Sequence, residues 1–418
     1  MRRSVVFLLA ALLAALAWLG PAEAQSEVDV RESSARGDFP EGIVFTLDAA
    51  SSTGFDDVRL VYQIAPDGVR TTAAADCVGG TVVSCSVEVG RSQRNLLIPG
   101  AEVTFFWRIT VSGETQATER QLFIYEDDRF DWRSISDGDL TLWWYQGSEG
   151  EAERVFAAAR ESLDEVSALL QTTVDFPVKV FYYASARDMQ AAIVADERQG
   201  IVTLGEVVYS DTAMVSADSA PEEIARHEVA HIVIREATRG PFSLPDWLNE
   251  GTAVFAQSQP LSGQSQALER AIQSGQVLSV RSLSSISSGA QADRVSLFYG
   301  QSYSLVAFLV DRDGPERFAQ LYRAFKDGAT TAGALEQVYG FDQDGLENAW
   351  RESVGLPPRE APTSDGERTA PTEEPETDSA ADDDGGASIA VIVAIAALAV
   401  LFAGGLAGAG VLLARRWR

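Results

Sequence analysis

The sequence predicts an α+β chain in two folded parts, an all-β sandwich followed by a mixed domain that turns helical toward its end. Three observations predict it. Short runs rich in branched and aromatic residues recur between turn signals as far as residue 128. Apolar residues then fall at helical spacing from Glu151 onward. At 418 residues and 46% apolar content, the chain can fill more than one core.

Residues 1–24 read as a secretory signal. Arg2 and Arg3 supply the positive start, Val5 to Leu19 a short apolar core, and Ala22-Glu23-Ala24 small residues before Gln25. An uncleaved N-terminal anchor is the alternative. Residues 25–128 form the all-β part, with runs at Gly42 to Leu47, Val58 to Ile64 and Val103 to Ile109. Turn signals at Ser52-Thr53-Gly54, Pro66-Asp67-Gly68, Pro99-Gly100 and Ser112-Gly113 separate them. Several short strands so spaced suggest an immunoglobulin-like or fibronectin-like sandwich serving as a spacer. Cys77 and Cys85 are the two cysteines. In an exported chain they pair into one small disulfide, the alternative being two buried thiols.

The pattern changes near Asp127 to Trp132. Leu140 to Tyr145 reads as a strand, Glu151 to Gln171 as a helix, and Val178 to Tyr183 as a buried strand. Ile201 to Leu204 and Val207 to Tyr209 are further strand candidates. Ser219-Ala220-Pro221-Glu222 then reads as a capping box opening a helix that stops near Gly240-Pro241. Pro245 opens another. Later helices begin at Phe298 and Phe318.

The first of these helices carries the chain's two histidines, in His227-Glu228-Val229-Ala230-His231. Residues four apart share a helix face, so both imidazoles can grip one metal ion. Glu228, beside the first, can reach a water on that ion and take its proton. A catalytic zinc takes three protein ligands and keeps one open position. Glu250, in Leu244-Pro245-Asp246-Trp247-Leu248-Asn249-Glu250-Gly251, offers the third ligand.

H-E-x-x-H, eighteen residues, then N-E-G resembles the gluzincin zinc metallopeptidases. The region 129–356 is similar to the peptidase-MA-like domain of exported bacterial proteins. Tyr299-x-x-Ser302-x-x-Leu305-Val306-x-Phe308-Leu309 adds to that likeness. The resemblance implies a zincin-type fold, one Zn2+ held by His227, His231 and Glu250, and Glu228 as general base. It also implies an oxyanion-stabilising tyrosine on a later helix, for which Tyr299 and Tyr303 are candidates. Two departures stand out. The aminopeptidase G-x-M-E-N strand is missing, which leans toward an endopeptidase. Val254 stands where thermolysin-like enzymes place an Asp that orients a histidine, so the histidines' partners are open, Asp246 being one candidate.

Residues 357–387 are a linker with ten acidic residues, against Arg359 and Arg368. Such a segment cannot build a core and is expected to be extended. Residues 388–414 carry no charge and are long enough to cross a bilayer. Arg415, Arg416 and Arg418 form the tail 415–418, whose positive charge places it in the cytoplasm. The expectation is a single-pass protein of the cell membrane, its folded parts extracytoplasmic, acting on a peptide or protein substrate. A net charge of −28 argues against a nucleic-acid partner. Two other functions remain open from sequence: a surface binding or adhesion protein with a zincin-like domain, and a zinc hydrolase of a non-peptide bond. Oligomeric state is not legible.

Overall fold

The computed structural model describes residues 28–66, 68–91, 97–193, 205–239, 243–285 and 292–359. They fall into two compact units that divide between Arg129 and Phe130. The expected signal, the strand at 201–204, the helix stop at 240–241, most of the linker, the span and the tail lie outside the described residues. Among the described residues, no helix is long and apolar enough to cross a membrane.

The first unit is built of antiparallel strands. They are β1 (Asp29–Asp38), β2 (Gly42–Ala50), β3 (Asp57–Ala65), β4 (Thr71–Ala74), β5 (Asp76–Gly79), β6 (Val82–Gly90), β7 (Ala101–Val111), β8 (Glu114–Ala117) and β9 (Gln121–Tyr125). One sheet runs β1-β2-β6-β5, the other β4-β3-β7-β8 with β9 also on β7. Along β7 every second residue is buried, from Ala101 to Val111, which is the period of a strand with one face in a core. Phe45 of β2 meets Phe105 of β7 edge-on at 4.9 Å, so the two sheets share that core. Cys77 and Cys85 stand directly opposite each other on β5 and β6 and are disulfide-bonded.

The second unit begins with β10 (Arg133–Asp137), β11 (Leu140–Trp144), α1 (Glu149–Leu170), β12 (Val178–Tyr183), α2 (Ala186–Ile193), β13 (Gly205–Tyr209) and β14 (Thr212–Ser216). Its sheet runs β10-β11-β12-β14-β13. α1 carries the chain from β11 to parallel β12, the usual use of a helical crossover. Val155, Ala159, Leu163, Val166 and Leu170 of α1 are buried at helical spacing, in one core with Leu142, Val180 and Val215 of the sheet. Burial of each such aliphatic side chain contributes about 1.5–3 kcal/mol. The helix starts two residues before Glu151, because Ser148 caps it. The Ser148 hydroxyl accepts from the Glu151 amide at 3.2 Å, and the Glu151 carboxylate accepts from the Ser148 amide at 2.8 Å.

Helices fill the remainder: α3 (Pro221–Ala237), α4 (Asp246–Ala256), α5 (Ser262–Ser274), α6 (Ala292–Asp313), α7 (Pro315–Lys326), α8 (Thr331–Tyr339) and α9 (Gln343–Ser353), with a 3-10 turn at Arg281–Ser284. α6 and α7 start before Phe298 and Phe318, since Ala292 and Pro315 already have helical geometry. The expected capping box at Ser219 to Glu222 does not form. The residue before α3 is Ala220, in left-handed conformation (φ 43°), and no side chain caps the helix. Glu222 instead accepts from Arg154 of α1 at 3.1 Å. Pro221 in the first turn offsets the missing cap, since its absent N–H is one fewer donor to satisfy.

Candidate metal centre

α3 is buried nearly all round, with eleven of its residues out of solvent, including His227 and Glu228. It packs on β14 on one side and on α1 and α4 on others. Arg226, 7% exposed, fixes this arrangement. Its guanidinium pairs with Glu161 and Glu165 of α1 and donates to the carbonyl of Ala256, at the end of α4, at 2.8 Å. Ser162 of α1 donates to the Arg226 carbonyl at 2.6 Å.

α4 brings Glu250 to the histidines. It can do so because Gly251 follows: a β-carbon there would collide with the Ser302 carbonyl of α6. The glycine of the N-E-G motif is therefore a packing requirement, letting α6 lie against α4 at backbone distance.

His227, His231 and Glu250 converge on one point. Nε2 of His227 and Nε2 of His231 are 3.2 Å apart, and Glu250 Oε2 is 3.4 Å from each. Three ligands at zinc distances on tetrahedral directions are roughly 3.3–3.4 Å apart. Glu250 Oε2 is buried without a hydrogen-bond partner, and two imidazole nitrogens face each other. A cation satisfies all three atoms at once, so the donor set fits zinc. Among the described residues it is the one cluster of three or more such side chains able to hold a metal ion.

The outer nitrogens of the rings also have partners. His231 Nδ1 lies 3.1 Å from Asn249 Oδ1, an acceptor that favours the proton on Nδ1 and would leave Nε2 to a metal ion. His227 Nδ1 faces the amide of Gln257 at 3.5 Å. The sequence reading did not find either partner. Asn249 is the neighbour of Glu250, and Gln257 lies just past the end of α4, whereas Val254, four residues after Glu250, is buried in the core. The charge of Asp246 reaches Tyr299 and helps to hold its phenol neutral.

The site's charges are strongly coupled. Burial works against a charge on His231, but Glu250, then Glu228 and Asn249, outweigh it and bring the imidazole up to about 9. Burial would raise Glu250, yet the two histidines hold it down to about 2. His227 is shifted downward by burial, which outweighs Glu250. Without metal, the centre is thus a His231–Glu250 ion pair beside a neutral His227.

Glu228 is 4% exposed, and its charge reaches both His231 and Tyr299. Tyr299 of α6 stands over the site, its ring 6.2 Å from that of His227. Its hydroxyl is buried with no hydrogen-bond partner. Burial, then Glu250 and Glu228, push its pKa far up, so it is a phenol, able to donate. Tyr303, one turn further, packs its ring against Phe255 at 6.2 Å and feels Asp311 rather than the site's carboxylates.

Residues 158–355 match the family model of the Peptidase MA superfamily. The match spans all three clustered residues and supports a zincin-like peptidase-MA domain in the second unit. No curated protein matches the sequence. Among solved structures, the chain is similar to the Br derivative of BhCBM56, at 15% identity and a TM-score of 0.18, over 23% of this chain and 98% of that one. It is also similar to wild-type OgpA from Akkermansia muciniphila, at 14% identity and a TM-score of 0.20, over 25% of this chain and 30% of that one. The chain thus spans under a third of the latter's length, and both scores are too low to bear on fold or function.

Proposed function

We propose that this chain is a membrane-anchored, extracytoplasmic zinc endopeptidase of gluzincin type. The observation that carries the reading is the 3.2–3.4 Å convergence of His227, His231 and Glu250 beside a buried Glu228. The Peptidase MA match over residues 158–355 suggests the peptidase class.

His227, His231 and Glu250 would hold a zinc ion, which would supply Lewis acidity and make a nearby water easier to deprotonate. Glu228 takes the proton of the attacking water and passes it to the leaving nitrogen. The Tyr299 phenol donates a hydrogen bond to the oxygen that becomes negative as the carbonyl is attacked. Asn249 keeps His231 in the tautomer that ligates. Among the described residues β13 lies at one edge of its sheet, where an extended polypeptide can add. With no aminopeptidase G-x-M-E-N strand in the sequence, that edge favours cleavage within a chain.

The remaining parts serve position. The 388–414 stretch anchors the protein, the acidic linker tethers the folded part to it, and the β-module is a spacer.

The test is digestion of a broad peptide library by the detergent-solubilised full chain, with and without a chelator. Internal cuts that vanish on chelation and return with zinc support the reading. Cuts that persist under chelation, or full zinc occupancy with no cut, would sink it.

A further inference from the structure

The end of α4 holds a second, less obvious contact with the metal helix. Three consecutive residues there meet α3. The Ala256 carbonyl accepts from Arg226 Nε at 2.8 Å. The Ser258 amide donates to Glu223 Oε2 at 2.7 Å. Between them, Gln257 is 7% exposed and turns its amide to His227, with Nε2 3.5 Å from the ring's Nδ1. The backbone on both sides of Gln257 is thus tied to α3. Its other end, Oε1, is buried with no hydrogen-bond partner.

An orphaned buried carbonyl oxygen is costly, at about 1–3 kcal/mol. Turning the amide half a revolution about its last bond gives the oxygen a partner and places Nε2 where Oε1 was. That rotation exchanges oxygen and nitrogen without moving any other group, and the two ends are assigned only through their partners. Oε1 then faces His227 Nδ1. An imidazole whose Nε2 lone pair is used for a metal carries its proton on Nδ1, and that proton requires an acceptor.

Resting on the metal site proposed above, we propose that Gln257 is the positioning residue of His227: its amide oxygen accepts the Nδ1 proton when metal is bound. In this role it replaces the carboxylate that Val254, four residues after Glu250, cannot supply. The partner is neutral, so it orients the ring without adding a third negative charge beside Glu228 and Glu250. Asn249 does the same for His231, which gives the site two amide-held histidines.

The chain has two histidines, so 15N-histidine labelling of the full-length protein reports on these two rings alone. In the zinc-loaded protein, both Nδ1–H signals are expected to be slow to exchange with water. Gln257→Leu is expected to lose the slow exchange at His227 while His231 keeps it, and to weaken zinc binding ten- to a hundredfold in chelator competition. Gln257→Glu retains an acceptor and is expected to restore the protected His227 signal, which also covers the case in which the leucine variant does not fold. A His227 Nδ1–H that stays protected in Gln257→Leu, or is lost in Gln257→Glu, overturns the proposal. If neither ring responds to zinc at all, the metal-site reading fails first, and the proposal with it.

Discussion

Asn249 Oδ1 lies 3.1 Å from Nδ1 of His231, while Nε2 of the same ring lies 3.4 Å from Oε2 of Glu250. Neighbouring residues of α4 thus address opposite sides of one imidazole. Asn249 faces Nδ1 and Glu250 faces Nε2. Asn249→Ala is expected to weaken zinc affinity about ten- to a hundredfold, and Asn249→Asp to retain it. Competition with a chromophoric chelator measures both, and equal affinity of the alanine variant and the parent contradicts the role.

Glu228→Gln separates binding from chemistry. It is expected to keep the full zinc content while peptide cleavage falls by roughly 10²–10⁴-fold. Undiminished turnover at normal zinc content removes Glu228 as the base.

Tyr299 and Tyr303 are told apart by a single atom. The Tyr299 hydroxyl has no hydrogen-bond partner within the protein, so Tyr299→Phe breaks no internal hydrogen bond and should leave Tm unchanged or slightly raised. Its kcat should drop about 10²–10³-fold with little change in KM, as for a lost oxyanion donor. Tyr303→Phe, with its ring on Phe255, should leave kcat near that of the parent. The reverse ranking would exchange the two assignments.

The ion pair in the metal-free centre predicts a pH signature. His231 is raised from 6.5 to about 9, so its contribution is fully present below pH 6.5 and is lost as pH climbs through 9. Glu250 is lowered from 4.5 to about 2, so its contribution holds above pH 4.5 and is lost as pH falls through 2. The chelated protein should therefore be most stable between about pH 4.5 and 6.5 as far as this pair is concerned. Its Tm should fall as pH rises from about 6.5 past 9, and that fall should vanish in His231→Ala. An unchanged slope in the variant assigns the pH dependence elsewhere.

Gly251→Ala tests the close approach of α4 and α6. The added methyl meets the Ser302 carbonyl, which belongs to a rigid helix and cannot yield. A destabilisation of about 1–3 kcal/mol is expected in urea unfolding, accompanied by weaker zinc binding as Glu250 shifts. A variant as stable as the parent contradicts the packing account.

Much of the site was legible because its residues are close in sequence. His227 and His231 lie one helical turn apart, and that spacing alone places both rings on one side of α3. β12 was read at its observed bounds because five of its six residues are branched or aromatic and a bend follows them. What escaped depends on contacts distant in sequence. β14 is five residues long and buried throughout, so it shows no alternation to betray a strand. The Ser219 box failed because the preceding residue, Ala220, turned left-handed and Glu222 was drawn to Arg154 on α1. Gln257 was missed because its partner is chosen by where α4 ends against α3, which Arg226 and Glu223 decide.

The most direct test of the account is the metal content of the full-length protein and of two single variants, His227→Ala and Glu250→Ala, measured by elemental mass spectrometry after dialysis against limiting zinc. The account predicts one zinc per chain in the parent and close to none in either variant, with each variant still folded by circular dichroism. Folded variants that hold as much zinc as the parent would contradict it.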